Sequence, residues 1–254
     1  MSGETRQERD DFFIGYLGRL PAAIRGPIWL AAIGLILGFV GGAFALSVGQ
    51  PDPGMGRVGG GPPLAGVIRA APYPHIRTAP TAEHPKGRAH LLVTLVKRGV
   101  SARAEALDGQ VVSAQGFYAR RAGHEMLQVQ GGGRIQPQEG AAAFETPVEP
   151  LGRWRLSGEI CDGKCYLGVM RPGVGLAHKA CANLCIRGGV PPVLVLEQPV
   201  EGSIFVLLAS ESGGPIETEA LYDKVALLLT LEGALERHGD MLVLRTDVAA
   251  AEAL

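Results

Sequence analysis

The sequence predicts a mainly β protein behind one N-terminal transmembrane helix, with a body of two tandem barrels. Three observations carry this. One uncharged apolar run, Ile28 to Val48, is followed by a Gly/Pro-rich spacer. The remainder breaks into short β-type runs separated by Gly-bearing turns, and those runs come twice in a similar order. The 254 residues are 46% hydrophobic and 19% charged, enough apolar side chain for a core and too much for disorder throughout. The 37 Gly and 18 Pro favour turns and short strands over long helices. A net charge of -1 carries no electrostatic footprint for nucleic acid.

Residues 1–27 read as a cytoplasmic segment. Within it, Asp11 to Leu20 spaces Phe12, Phe13, Tyr16, Leu17 and Leu20 at near-helical intervals before Pro21. That pattern suits an amphipathic turn at the membrane interface or a docking surface. Residues 28–48 are the transmembrane helix, about 31 Å long at ~1.5 Å per residue. Arg9, Arg19 and Arg25 precede it, against Arg57 alone beyond it. This imbalance keeps the N-terminus in the cytoplasm and sends the C-terminal body across. Ala43-Phe44-Ala45 has the small-x-small look of a cleavage site. The long leader and its acidic Glu4, Glu8, Asp10 and Asp11 favour an uncleaved anchor instead. Either way the body is exported. Gly34, Gly38 and Gly42 recur on one helix face, either a groove for a second helix or the ordinary glycine content of membrane helices.

Residues 49–63 form a Gly/Pro linker in which no core can form. The first domain, 64–130, holds runs at Leu64–Arg69, Ala89–Val96, Gln110–Arg120 and Glu125–Val129, with a helical candidate over Ser101–Leu107. A polar connector, 131–150, leads to the second domain, 151–254. Its runs are Leu156–Ile160, Val193–Leu196, Ile204–Ala209, Val225–Arg237 and Asp240–Arg245, with a helical candidate over Glu217–Asp223. Gly116 and Gly233 hold matching places in the long strands, where a missing side chain permits a sharp bend. Strands, one helix and a closing hairpin are the order of a five-stranded OB-like barrel, and a β-sandwich is the alternative. Phe117, Tyr118 and Phe205 are too scattered for a base-stacking platform, so protein binding is the expected use.

All four cysteines fall in Cys161-Asp-Gly-Lys-Cys165 and Cys181-Ala-Asn-Leu-Cys185. The run Leu176–Leu184 is a helix candidate that places His178, Cys181 and Cys185 on one face. Asp162-Gly163 suggests a tight hairpin turn that separates Cys161 from Cys165. Bridges within either pair are therefore awkward, and cross-bridging between the pairs is preferred. Three uses stay open. Disulfides among Cys161, Cys165, Cys181 and Cys185 would tie the insertion, at ~2–4 kcal/mol each. Alternatively Cys165, His178, Cys181 and Cys185 form a metal site for zinc, copper(I) or an iron–sulfur centre, with Cys161 in reserve. The third use is a thiol–disulfide couple with Lys164 or Lys179 lowering a thiol pKa. His75, His84 and His90 read as exposed loop and strand-edge residues, and His124 and His238 as plain hairpin residues. The sequence holds no carboxylate pair for hydrolysis, no Ser/His/Asp signature and no phosphate loop, so catalytic residues are not assigned.

From Gly158 through Cys165-Tyr-Leu-Gly, His178-Lys-Ala-Cys-Ala-Asn-Leu-Cys185 and Gly188-Gly-Val-Pro-Pro192, the chain resembles a group of uncharacterised bacterial membrane-anchored envelope proteins. They share a GEI-x-D-x-KCYLG…HxxCAxxC…GG[IV]PP stretch. The resemblance covers the exported body and carries over Cys165, His178, Cys181 and Cys185, with Cys161 a local addition. It implies a single-pass protein of the bacterial inner membrane, with periplasmic domains, that accompanies respiratory iron–sulfur or molybdenum components. The expectation is a non-catalytic accessory subunit or assembly factor of a membrane redox complex. Its partners would be subunits of that complex, met through the transmembrane helix and the periplasmic domains. A metal carrier or thiol–disulfide protein is the alternative.

Overall fold

The computed structural model describes residues 22–49, 54–140, 143–145 and 147–254. The chain divides into two compact units, Met1–Pro51 and Asp52–Leu254. In the first, helix α1 runs Ala22–Gly49 and so begins before the expected Ile28. Pro27 lies inside the helix, at its sixth residue, where its missing N–H leaves the Ala23 carbonyl without its usual partner. Residues Ala22–Val48 are long and apolar enough to cross a membrane, with a mean hydropathy of 2.2 and no burial within the fold. A Cβ added at Gly34, Gly38 or Gly42 would meet nothing within 4 Å, so that helix face stands open. The Asp11–Leu20 segment lies outside the described residues.

The second unit begins with strands β1 (Arg57–Gly60), β2 (Leu64–Arg69), β3 (His75–Arg77) and β4 (Ala89–Thr94). Helix α2 (Ser101–Ala106), β5 (Val111–Ala114), β6 (Gly116–Arg121), β7 (His124–Val129) and β8 (Ile135–Pro137) follow. Then come β9 (Val148–Asp162), α3 (Lys179–Arg187), β10 (Pro192–Val200), β11 (Ser203–Ala209), β12 (Leu228–His238), β13 (Met241–Thr246) and β14 (Glu252–Ala253). The fold is thus mainly β, as expected. The linker is less featureless than its composition suggests. Arg57–Gly60 pairs with β6, because an exposed strand edge can be satisfied by backbone alone, which glycine supplies. The connector likewise contributes β8, which pairs with β5 and buries Ile135.

The two halves repeat one pairing scheme. In the first, β2 pairs β3, β3 pairs β4, and β4 runs parallel to β7. The hairpin partner β6 leads back through β5 to β2, with only Gln115 between β5 and β6. In the second, the ring runs β9, β10, β11, β13, β12 and back to β9, with β11 and β13 the parallel pair. Helix α2 sits between β4 and β5; in the second half a single 3-10 turn, Thr218–Leu221, takes the corresponding place. The expected helix over 217–223 is therefore only that turn, too short to repay α-helix nucleation. Gly116 and Gly233 are matched as read. A Cβ at either would lie 2.1 or 2.2 Å from the carbonyl of Gln128 or Arg245 on the neighbouring strand.

Residues 64–130 and 151–254, expected as two domains, fall within the one compact unit Asp52–Leu254. Each half has its own core, around Leu92 and Leu127 in one and Leu194 and Leu231 in the other. A third core is shared: Tyr73, Leu91, Val93 and Met126 pack against Tyr166, Val193, Phe205 and Val243. Polar contacts cross the same seam, with Asp240 Oδ1 accepting the Ala89 N–H at 2.7 Å and Tyr73 Oη accepting the Ile216 N–H at 2.9 Å. Burying large apolar side chains between the halves, at ~1.5–3 kcal/mol each, makes them one unit.

Candidate metal centre

The site grows from the end of β9. Asp162, fully buried, accepts the Cys165 N–H through Oδ1 at 2.8 Å and so ties the end of β9 to the start of a helical turn over Cys165–Val169. This replaces the tight hairpin expected at Asp162-Gly163. Its other oxygen, Oδ2, lies 2.9 Å from His178 Nε2, and both side chains are buried. The chain returns through a 3-10 turn at Leu176–His178 into α3, which carries Cys181 and Cys185. The helix read from the sequence is present, with its regular part starting at Lys179.

These residues converge as two overlapping triads. The ligand atoms of Cys165, His178 and Cys181 lie within 4.8 Å of one another, as do those of Asp162, Cys165 and Cys185. Either group could hold a metal ion. Cys165 belongs to both, so the four expected ligands meet around its sulfur. Cys161 is not among them. Its thiol donates to Glu159 Oε1 at 3.2 Å, and burial pushes its pKa up. The four cysteines are free thiols in this structure, and the disulfides expected among Cys161, Cys165, Cys181 and Cys185 are not formed.

The lysines act differently from expectation. Lys164 is buried and donates to the carbonyls of Thr94, Leu95 and Val96 at 2.9, 2.7 and 2.9 Å. Lys179 donates to the Asp223 carbonyl at 2.7 Å. The lysine that reaches the sulfurs is Lys97, from the first half, with Nζ 2.6 Å from Cys181 Sγ and 3.6 Å from Cys185 Sγ. Lys164 holds the loop that carries it. A second clasp is the Gly99 N–H donating to the Gly188 carbonyl at 2.8 Å. A Cβ on Gly188 would lie 1.8 Å from the Lys97 carbonyl, so only glycine lets the loop seat there.

Charge within the cluster is uneven. The hydrogen bond with Cys185, helped by burial, pushes the Cys165 thiol well up. The same bond, with Lys97 nearby and against the effect of burial, pushes Cys185 down. Cys165 is thus the proton holder and Cys185 the incipient thiolate. Lys97 is itself held in its ammonium form, chiefly by its hydrogen bond to Cys181.

Other histidines also depart from expectation. His75 is buried, with Nδ1 2.8 Å from the Tyr73 carbonyl and Nε2 accepting from Arg77 Nε at 3.1 Å. His90 is buried beside Glu125, whose carboxyl it helps hold down at about 2 together with Arg120 and Arg88. His124 stacks on Phe205 at 4.6 Å and lies 2.9 Å from Ser203 Oγ. His124 reaches across the seam, His75 and His90 are held by partners of their own half, and all three lie outside the cluster.

Sequence reading missed two members of the site. Asp162 was legible only as a turn former. Lys97 had no local signal, being far upstream in the other half. Comparison with protein-family models, curated proteins and solved structures finds no match to this chain.

Proposed function

We propose that this chain is a membrane-anchored periplasmic accessory protein of a membrane redox complex, a non-catalytic subunit or assembly factor carrying one soft metal ion. The observation that carries the reading is the meeting of Cys165, His178, Cys181 and Cys185 around one sulfur, at the seam of the two halves. Tetrahedral metal–thiolate bonds of ~2.3 Å set two sulfurs about 3.8 Å apart, and the donors of each triad lie within 4.8 Å of one another. That favours a single ion over an iron–sulfur centre, whose extra atoms need a wider shell. Three thiols and an imidazole suit zinc or copper(I). Once bound, the ion would cross-link the end of β9 to α3 and rigidify the surface offered to a partner.

The chain's own residues prepare that state. Asp162 fixes the His178 ring through one nitrogen and leaves the other for the metal. Lys97 offsets the negative charge that three thiolates would gather. The order of strands in each circuit, the single parallel pair and the helical element after the third strand support two OB-like barrels in tandem. Arg9, Arg19 and Arg25 support the cytoplasmic placement of the N-terminus in a bacterial inner membrane. The open Gly34, Gly38 and Gly42 face supports docking against a partner helix. The likeness to envelope proteins that accompany respiratory components supports the redox setting.

The test is photo-crosslinking from the Gly38 face in native membranes, with metal analysis of the purified full chain. The account expects adducts to a redox-complex subunit and about one zinc or copper per chain. Recovery of monomer alone, without metal, would refute it.

A further inference from the structure

The three clustered thiols differ in access. Cys165 and Cys185 are 2% and 1% exposed, whereas Cys181 is partly open to solvent. Lys97 lies against that same accessible sulfur, at 2.6 Å. Behind it, Cys165 Sγ is within 4.8 Å. Cys181 and Cys185 are a helical turn apart on α3, where a bond between them would distort the helix. Cys165 comes from a different element and is the thiol able to close on Cys181.

We propose that Cys181 and Cys165 form a thiol–disulfide exchange pair, Cys181 as the entry thiol and Cys165 as the resolving thiol, and that closing their disulfide expels the metal. The exchange stands on the thiols alone; only the expulsion rests on the metal centre proposed above. In the first step the Cys181 sulfur attacks one sulfur of a disulfide-bearing protein. The partner's S–S bond breaks, a mixed S–S bond forms, and the departing thiolate takes up the proton that Cys181 released. In the zinc-loaded chain, where Cys181 and Cys165 are already thiolates, solvent supplies the proton at this step and the next. The Lys97 ammonium compensates the charge on Cys181 as it attacks. In the second step Cys165 gives up its proton and attacks Cys181 Sγ. The Cys165–Cys181 bond forms, the mixed disulfide breaks, and the second partner sulfur leaves with that proton. Two thiols of this chain are oxidised and one partner disulfide is reduced, a transfer of two electrons. Cys165 and Cys181 then no longer offer thiolates, and His178 and Cys185 alone cannot complete a metal shell.

The experiment treats the reduced, zinc-loaded full chain in detergent with glutathione disulfide, quenches with acid, and maps the products by alkylation and peptide mass spectrometry. Wild type should accumulate the Cys165–Cys181 bond and lose its zinc. Cys165→Ser should trap glutathione on Cys181, and Cys181→Ser should take up none. Lys97→Met should slow adduct formation several-fold, while Lys179→Met leaves it unchanged. Cys161→Ser, elsewhere in the shared core, controls for simple loss of packing. A bridge from Cys165 to Cys185 with Cys181 left free, or no trapped adduct in Cys165→Ser, would overturn the exchange pair. A reduced chain that holds no zinc yet forms the bridge removes the metal reading alone. A chain that keeps zinc and never forms the bridge removes the exchange pair alone.

Discussion

The first two strands of each half are joined at the same place in the pairing scheme, by very different lengths of chain. Between β2 and β3 the link is 70–74; between β9 and β10 it is 163–191. The short link contributes Tyr73 to the shared core and carries no chemistry of its own. The long one folds a helical turn and α3 back over the seam and holds Cys165, His178, Cys181 and Cys185. The scaffold is thus duplicated and the chemistry is not. Yet the plain half is not a bystander, because its loop after β4 delivers Lys97 to the sulfurs. A site on an insertion can borrow charge from the copy that lacks the insertion.

The sharpest break of that contrast is Cys165→Ser. It removes the sulfur common to both triads and should weaken zinc affinity more than about 100-fold in a chelator competition. Tyr73→Phe, in the short link, should leave affinity unchanged. Next is Gly188→Val, which forces the Lys97 loop off its seat and should lower stability by about 3 kcal/mol in urea unfolding. Asp162→Asn loosens the His178 ring and should reduce zinc affinity about 10–100-fold, with the fold retained by circular dichroism.

Acid should act mainly through two histidines. Burial pushes His75 down to about 3 and His124 to about 4, from an ordinary value near 6.5. Between those values and about 6.5 the unfolded chain binds protons that the folded chain refuses, so stability falls as pH is lowered. The slope is at most about 1.4 kcal/mol per pH unit for each histidine. His124→Phe keeps the stack on Phe205 and should flatten this acid limb in urea titrations at stepped pH. The smallest effect is that of Cys161→Ala, a loss of about 1 kcal/mol with metal content unchanged.

What could be read from the chain was whatever depends on neighbours in sequence. An unbroken apolar run declares α1, and Gly-bearing turns between β-rich runs declare the repeated order of strands. The spacing of His178, Cys181 and Cys185 declares one helix face, and Cys165 joins it because β9 and α3 flank one short insertion. What depended on distant approach was not legible. The Gly188 contact with Lys97, the buried Lys164 tied to three carbonyls, and the core shared by Met126 and Phe205 all join residues of different halves. No local pattern of charge or hydropathy encodes such meetings. A second matched pair of glycines, Gly66 and Gly158, also escaped notice. Each lies against a neighbouring strand's carbonyl, of Arg77 or Val195, and the need for a bare backbone shows only once that strand is in place.

X-ray absorption at the metal edge of the purified, reduced full chain interrogates the thiolate centre most directly. The account predicts one zinc or copper per chain with about three sulfurs at ~2.3 Å and one nitrogen at ~2.0 Å. It predicts a loss of one sulfur from that shell in the Cys181→Ser variant. A shell of oxygen and nitrogen alone, or a sulfur count indifferent to Cys181, would contradict it.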